Sequence, residues 1–447
     1  MNTDTQDHSQ NVDLQNAISP DTLKPQLAGL QRGALIAAVV GLALTVIGAI
    51  SNLDHFFQAY LNSYLFWFGI TVACIGFVAL HNTVGGGWGF IIRRFLEAGT
   101  RLLPVMALAF LPIAASVLMG DKSIYEWAHP SAANDPIIQE KAMYLNVPFF
   151  LIRAVIYFLI WGTLAFFFNK WSRVLDERED PKALSKLNLL GAATLPLHVL
   201  MVTFMSVDWA MSLTPHWFSS IYGFLFVAGQ ALTTLALMNL FNGTLGTKHP
   251  LLPLVPQRYF RDLGNLMLAI TLVWAYCSFS QYVIIYSGNV AENAVWYTVR
   301  RAGGWGILGL MLISLHFALP FLCLLSSSLK VKPQNLARLA AFMLFMRWID
   351  LIWLTRPAFS ETLLGGLYLS DLGTMLLLGG LWLYLWADQV KKRPLVPLYD
   401  PRFAENWKID QHSHDHGHEL DEAQLAEKGG ALPVALTTHG GEVKSHV

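Results

Sequence analysis

The chain has 447 residues, of which 54% are hydrophobic and 13% charged, against roughly 25% charged in an ordinary soluble domain. That excludes a water-soluble globule of this size. Lys plus Arg equal Asp plus Glu at 30 each, so net charge points to neither nucleic acid nor an acidic substrate, and only its distribution along the chain informs.

Residues 1–32 are polar, carry Asp4, Asp7, Asp13 and Asp21, and lack the short apolar core and cleavage site of a secretory signal. They read as a cytoplasmic N-terminal tail. A bilayer core takes roughly 20 apolar residues of helix, and ten such stretches follow within a transmembrane domain spanning 33–393. They cover about 33–51, 58–80, 102–119, 147–168, 187–206, 217–241, 263–286, 304–326, 337–355 and 368–387. Inside a bilayer every backbone polar group must be satisfied, which favours helices, so the predicted fold class is all-α and polytopic.

Lys and Arg in alternate connections give the orientation, because cytoplasmic loops hold the excess of positive charge. One set of connections holds 19, including Arg93, Arg94, Arg101, Lys170, Arg173, Arg178, Lys182 and Lys186. The other holds 5: Lys122, Lys141, Arg300, Arg301 and Arg356. This predicts both termini in the cytoplasm. Residues 85–100 mix Phe90, Ile91, Phe95 and Leu96 with Arg93, Arg94 and Glu97, the pattern of a short helix lying in the inner interface.

Ionisable groups inside the hydrocarbon cost about 2.5–3.5 kcal/mol each on insertion scales and therefore face a protein interior. His198 lies mid-way along the fifth span, His316 mid-way along the eighth, and Arg347 with Asp350 in the ninth. Arg153 sits just inside the outer end of the fourth. Asp208, His216 and Asp371 mark outer helix ends, and His81 and Asp388 inner ones.

Each of these groups has a structural and a functional reading. Arg347 and Asp350 are three apart and on one face, suited to a mutual ion pair. His198 and His316 suit neutral histidines bonded to a neighbour, Arg153 a snorkelling anchor, and the terminal acids solvated caps. The functional reading makes His198, Asp208, His316, Arg347, Asp350, Arg153, Asp371 and His81 members of a proton path. His198 and Asp208 are ten residues apart, about 15 Å along a helix, so groups such as Gln230, Tyr276, Ser278 or Gln281 would have to bridge them.

Trp127, Trp209, Trp217, Trp296 and Trp305 are expected at the membrane interfaces. Cys74, Cys277 and Cys323 are scattered through apolar stretches with no C-x-x-C or C-x-x-C-H, so neither c-type haem nor an iron–sulfur cluster is expected in this chain, and no metal site. Residues 394–447 form a polar tail containing His412, His414, His416 and His418, read as solvated and without a fixed fold.

Six runs carry a family resemblance: HNTVGGGWG (81–89), IYEWAHP (124–130), KAMYLNVPFFLIRA (141–154), DWAMSLTPHWFSSIYG (208–223), SFSQYVIIYSGN (278–289) and RRAGGWG (300–306). They resemble the ActF subunits of bacterial alternative complex III, a branch of the NrfD-like, polysulfide-reductase-type membrane proteins, over about residues 30–405. The resemblance implies two four-helix bundles, from the second to fifth and the sixth to ninth spans, with the first and tenth outside them. It implies partners as well, namely an iron–sulfur subunit, multihaem cytochrome c subunits, a second NrfD-like subunit, ActC, and membrane lipid, and it implies a bacterial inner-membrane location. The function implied is that of a subunit of a quinol:cytochrome c type oxidoreductase that holds no redox cofactor, with a proton pathway as a family hypothesis. A quinone is compatible with this, but the resemblance carries no quinone-contacting residue over to this sequence.

Two other readings remain. One is a secondary transporter of a small solute, although Pro104, Pro112, Pro148, Pro196 and Pro320 do not fall at matching positions of two halves. The other is a purely structural anchor for peripheral redox subunits. The GGGWG and GGWG runs sit on opposite sides of the membrane in the predicted topology and read as a shared need for tight turns.

Overall fold

The computed structural model describes residues 19–120, 123–245, 255–397 and 399–403. One compact unit ends at Asp400; of a second, 401–447, only the helical residues 401–403 are described. The principal helices are α1 (Lys24–Ser51), α2 (Leu53–Val84), α3 (Gly87–Thr100), α4 (Leu103–Leu118), α5 (Val147–Glu177), α6 (Pro181–Trp209), α7 (Tyr222–Thr244), α8 (Gln257–Gly288), α9 (Ala291–Arg301), α10 (Trp305–Leu325), α11 (Pro333–Thr355) and α12 (Leu369–Val390). No strand occurs among the described residues. Among the described residues eight helices are long and apolar enough to cross a bilayer, or nine if α3 and α4, bent by 40° at a short break, make one span. At 23 residues α11 is also long enough, but it carries Arg338, Arg347 and Asp350. The chain is an all-α polytopic membrane protein.

Helix starts follow from local chemistry. Asn52 accepts a hydrogen bond from the His55 N–H at 3.0 Å, Asn146 from Phe149 at 2.9 Å, and Asp180 from Lys182 and Ala183 at 2.9 and 3.1 Å. Pro148 and Pro181 stand in the first turns of α5 and α6, where the missing N–H would have no helical partner anyway. The polar flanks therefore stay helical, and α5 and α6 run to Glu177 and back to Pro181, well beyond their apolar cores.

In its most apolar stretch α2 is 89% buried and α7 78%, against 22% for α1 and α10. These two are the central helices. Helices α3 to α6 pack around α2; α8 and α11 pack on α7, and α10 packs on α8 and α11. The two four-helix groups meet where α7 touches α2, α3 and α6, α8 touches α3 and α11 touches α2. Outside them α12 packs on α2, and α1 packs on α12. Small residues at sevenfold spacing make that last contact. A Cβ on Gly41 would lie 2.3 Å from the Leu377 nitrogen, and one on Gly380 2.4 Å from the Ala34 oxygen, so the backbones touch as in small-residue membrane packing.

Several expectations change. The first helix begins at Lys24, inside the stretch expected to be a tail; residues 1–18 lie outside the described set. The segment 85–100 does form a helix, α3, and its amphipathic residues do not face outward: Phe90, Arg93, Arg94, Phe95, Leu96 and Glu97 are all buried in protein. Its polar side meets carboxylates instead of water. Likewise Trp127, Trp209, Trp217, Trp296 and Trp305 are buried, with Trp209 stacked 4.7 Å from Phe110 and Trp217 stacked 4.6 Å from Trp296. Both glycine runs are tight turns, with positive φ at Gly85, Gly86, Gly303 and Gly304. The tail from 394 starts folded, since Leu395, Val396 and Asp400 are buried; His412, His414, His416 and His418 lie outside the described residues.

Candidate functional site

The candidate proton-path residues fall into three buried clusters and two isolated histidines. In the first cluster Arg153 of α5 grips Asp208 of α6 with two bonds: Nε donates to Oδ2 at 2.8 Å and Nη2 to Oδ1 at 2.9 Å. This fork is the strongest geometry an ion pair can adopt. The Tyr157 hydroxyl donates to the same carboxylate at 2.6 Å, the Tyr144 carbonyl accepts from Arg153 at 2.9 Å, and the Tyr144 ring lies 3.9 Å from the guanidinium. Arg153 is therefore not a snorkelling anchor and Asp208 not a solvated cap. Tyr157 stands one helical turn from Arg153, a spacing that could have revealed it.

In the second cluster Arg347 pairs with Asp350 one turn on, as their spacing predicts. Its guanidinium lies flat against α7 because residue 229 is glycine: a Cβ there would sit 2.3 Å from Nη2. Trp274 of α8 donates its indole N–H to Asp350 at 3.2 Å, and His316 of α10 stands edge-on to Trp274 at 4.5 Å. His316 is fully buried, and neither ring nitrogen has a hydrogen-bond partner. It lies in a π-helical turn, Leu312–Ala318, a distortion that recurs at functional sites. Both bonds fall on Oδ2 of Asp350. Asp350 and Trp274 also line a cleft of about 800 Å³ among α8, α10 and α11.

A third cluster joins Arg356, just past α11, to Asp371 at the start of α12. Gln58 of α2 accepts from Arg356 at 3.4 Å, and the Tyr368 N–H donates to Asp371 at 2.8 Å. Asp371 does cap its helix, but from a buried position. His198 and His81 stand apart. His198 is packed against Gly76 of α2, with its Nδ1 unpartnered. His81 bonds the Gly86 carbonyl at 3.2 Å and packs on Phe90, tying α2 to the glycine turn. Among the described residues no hydrogen bond links His198 or His316 to a carboxylate. Of the bridging candidates, Tyr276 faces outward and Gln281 is bonded to Ser219 and Tyr297. Gln230 is buried, and both its amide atoms are unpartnered.

Neither the known family models nor the curated proteins give a match to this chain.

A fourth cluster, unforeseen from the sequence, occupies the end of the bundle where α3 lies. Glu97 accepts from Arg93 at 3.0 Å, Arg94 at 2.7 Å and Ser172 at 2.6 Å, while Arg93 also reaches Asp400 at 2.8 Å and Arg94 reaches Asp176. The Arg-Arg-x-x-Glu spacing within α3 was readable, whereas Asp176 and Asp400 are too far along the chain to be inferred as partners. At the opposite end, outside the spans, His216 bonds Asp135 at 2.7 Å and so holds the Asp135 carboxyl below the usual carboxylate range.

Proposed function

We propose that the chain is a membrane subunit of a quinol:cytochrome c type oxidoreductase of the alternative complex III kind. In this reading it holds no redox cofactor and contributes buried ionisable groups to a proton pathway. The observation that carries it is the meeting of separate runs at one end of the bundle. Arg153 and Tyr144 of one run close on Asp208 of another, Tyr125 of a third donates to the Trp209 carbonyl at 3.0 Å, and Ser219 donates to Gln281 of a fourth at 3.2 Å. Four of the six runs that carry the resemblance are thus joined at that end.

Cys74 and Cys277 are buried singly and Cys323 is part-buried, a donor set that does not suit a cluster bound by four cysteines. Haem c and iron–sulfur clusters are accordingly assigned to partner subunits, with ActC-like and cytochrome partners docking on this chain. Purifying a tagged chain from its native membrane in mild detergent tests this. The reading predicts co-purified c-type haem, seen in the reduced spectrum, and quinol oxidation by the isolate. A haem-free chain that transports a small solute in vesicles would replace it with the transporter reading.

A further inference from the structure

Buried arginines in this protein come with carboxylates. Arg93, Arg94, Arg153, Arg347, Arg356 and Arg393 each have one within ion-pair distance. Arg300, at the end of α9 and 2% exposed, does not. Its hydrogen bonds go to the backbone carbonyls of Trp353 at 3.2 Å, Trp296 at 3.1 Å and Leu354 at 2.7 Å. Its guanidinium also lies 3.4 Å from the centre of the Trp296 ring. Among the described residues no carboxylate pairs with it. Carbonyl dipoles and a ring face ease a buried cation but leave its charge in place, and burial lowers the Arg300 pKa to about 9. Three of the five N–H groups of its guanidinium are used, leaving two for an anion.

The surroundings indicate what that anion belongs to. Arg300 lines the 800 Å³ cleft, together with the exposed Arg301 and with Trp353, whose buried indole N–H has no partner. The one carboxylate in the wall, Asp350, is already engaged by Arg347 and Trp274. Away from the arginines the walls are apolar and face outward, with Phe279 of α8 and Leu310 and Ile313 of α10 all more than half exposed. From Gly306 to Phe317 the trough follows α10 for twelve residues, about 16 Å from first to last, which is close to the hydrocarbon depth of one leaflet. Cations at one end and a lipid-facing apolar channel below them match one kind of molecule.

We propose that the cleft among α8, α10 and α11 is a binding site for an anionic phospholipid, its phosphate held by Arg300 and Arg301 and one acyl chain lying along α8 and α10. An uncharged lipophilic molecule would fill the apolar walls but leave Arg300 without a counter-charge. A free phosphate would supply the charge but leave the trough unused. The site is independent of the redox reading above.

Native mass spectrometry on the full chain, alone or in its complex, titrated with phosphatidylglycerol, phosphatidylcholine or inorganic phosphate, tests the site. Arg301→Gln is the main variant because Arg301 is exposed and its loss spares the core, and Ile313→Trp blocks the trough from the lipid side. The expected result is one phosphatidylglycerol retained in preference to phosphatidylcholine, weakened about tenfold by Arg301→Gln, as the loss of a charge-assisted bond implies, and weakened also by Ile313→Trp. Equal retention of the two lipids, or no effect of Arg301→Gln, overturns the proposal. Binding of inorganic phosphate as tight as that of the lipid and indifferent to Ile313→Trp overturns it too, leaving a plain anion site.

Discussion

Replacing Asp208 by alanine would strand Arg153 in the protein interior, and removing one partner of a buried pair costs about 3–5 kcal/mol. Asp208→Ala should therefore lower the melting temperature sharply, whereas Arg153→Met combined with Asp208→Leu should recover most of the loss; thermal unfolding in detergent compares them. Asp135 titrates at the surface, and its folded pKa is depressed. A depressed carboxyl stabilises fully above its unfolded value, about pH 4, and loses that contribution as pH falls through the folded pKa. Amide exchange in the Pro136–Glu140 helix should rise as pH falls below about 4, beyond the intrinsic change of the exchange rate, and Asp135→Asn should abolish that excess. At this scale the sequence was partly legible. The spacing of three revealed Arg347 with Asp350 because both lie on one turn. Arg153 with Asp208, and Asp371 with Arg356, join different elements, and nothing local in the sequence selects the partner.

Hydropathy located the spans because a bilayer imposes one length on every crossing helix. It missed their ends, since capping by Asp180 and the proline after it keeps charged residues helical. It also did not reveal that α3 and the five tryptophans are buried in protein. An amphipathic helix has the same pattern whether its polar side meets headgroups or buried carboxylates such as Asp176 and Asp400. The contact of α1 with α12 is open to a clean test. In Gly380→Ala the new methyl would meet the Ala34 carbonyl, while in Gly33→Ala it would meet nothing within 4 Å. The first should destabilise by about 1–3 kcal/mol, the usual cost of overpacking, and the second should be neutral, as read by thermal unfolding of the two variants side by side.

For the whole molecule, orientation rests on the positive charge of alternate connections. Cysteines placed at the exposed positions Asn134 and Glu179 should react with an impermeant thiol reagent from opposite sides of sealed vesicles, Asn134→Cys from outside; labelling from one side would overturn the helix count. The central claim is that buried ionisable groups move protons for a redox complex, and it is tested most directly by the protons translocated per electron in reconstituted vesicles. His198→Phe, and Arg347→Gln combined with Asp350→Asn, which removes both charges of that pair together, should assemble, keep quinol-driven electron transfer and translocate fewer protons per electron. Assembled complexes carrying these substitutions with an unchanged ratio would contradict the claim and leave the chain a structural anchor.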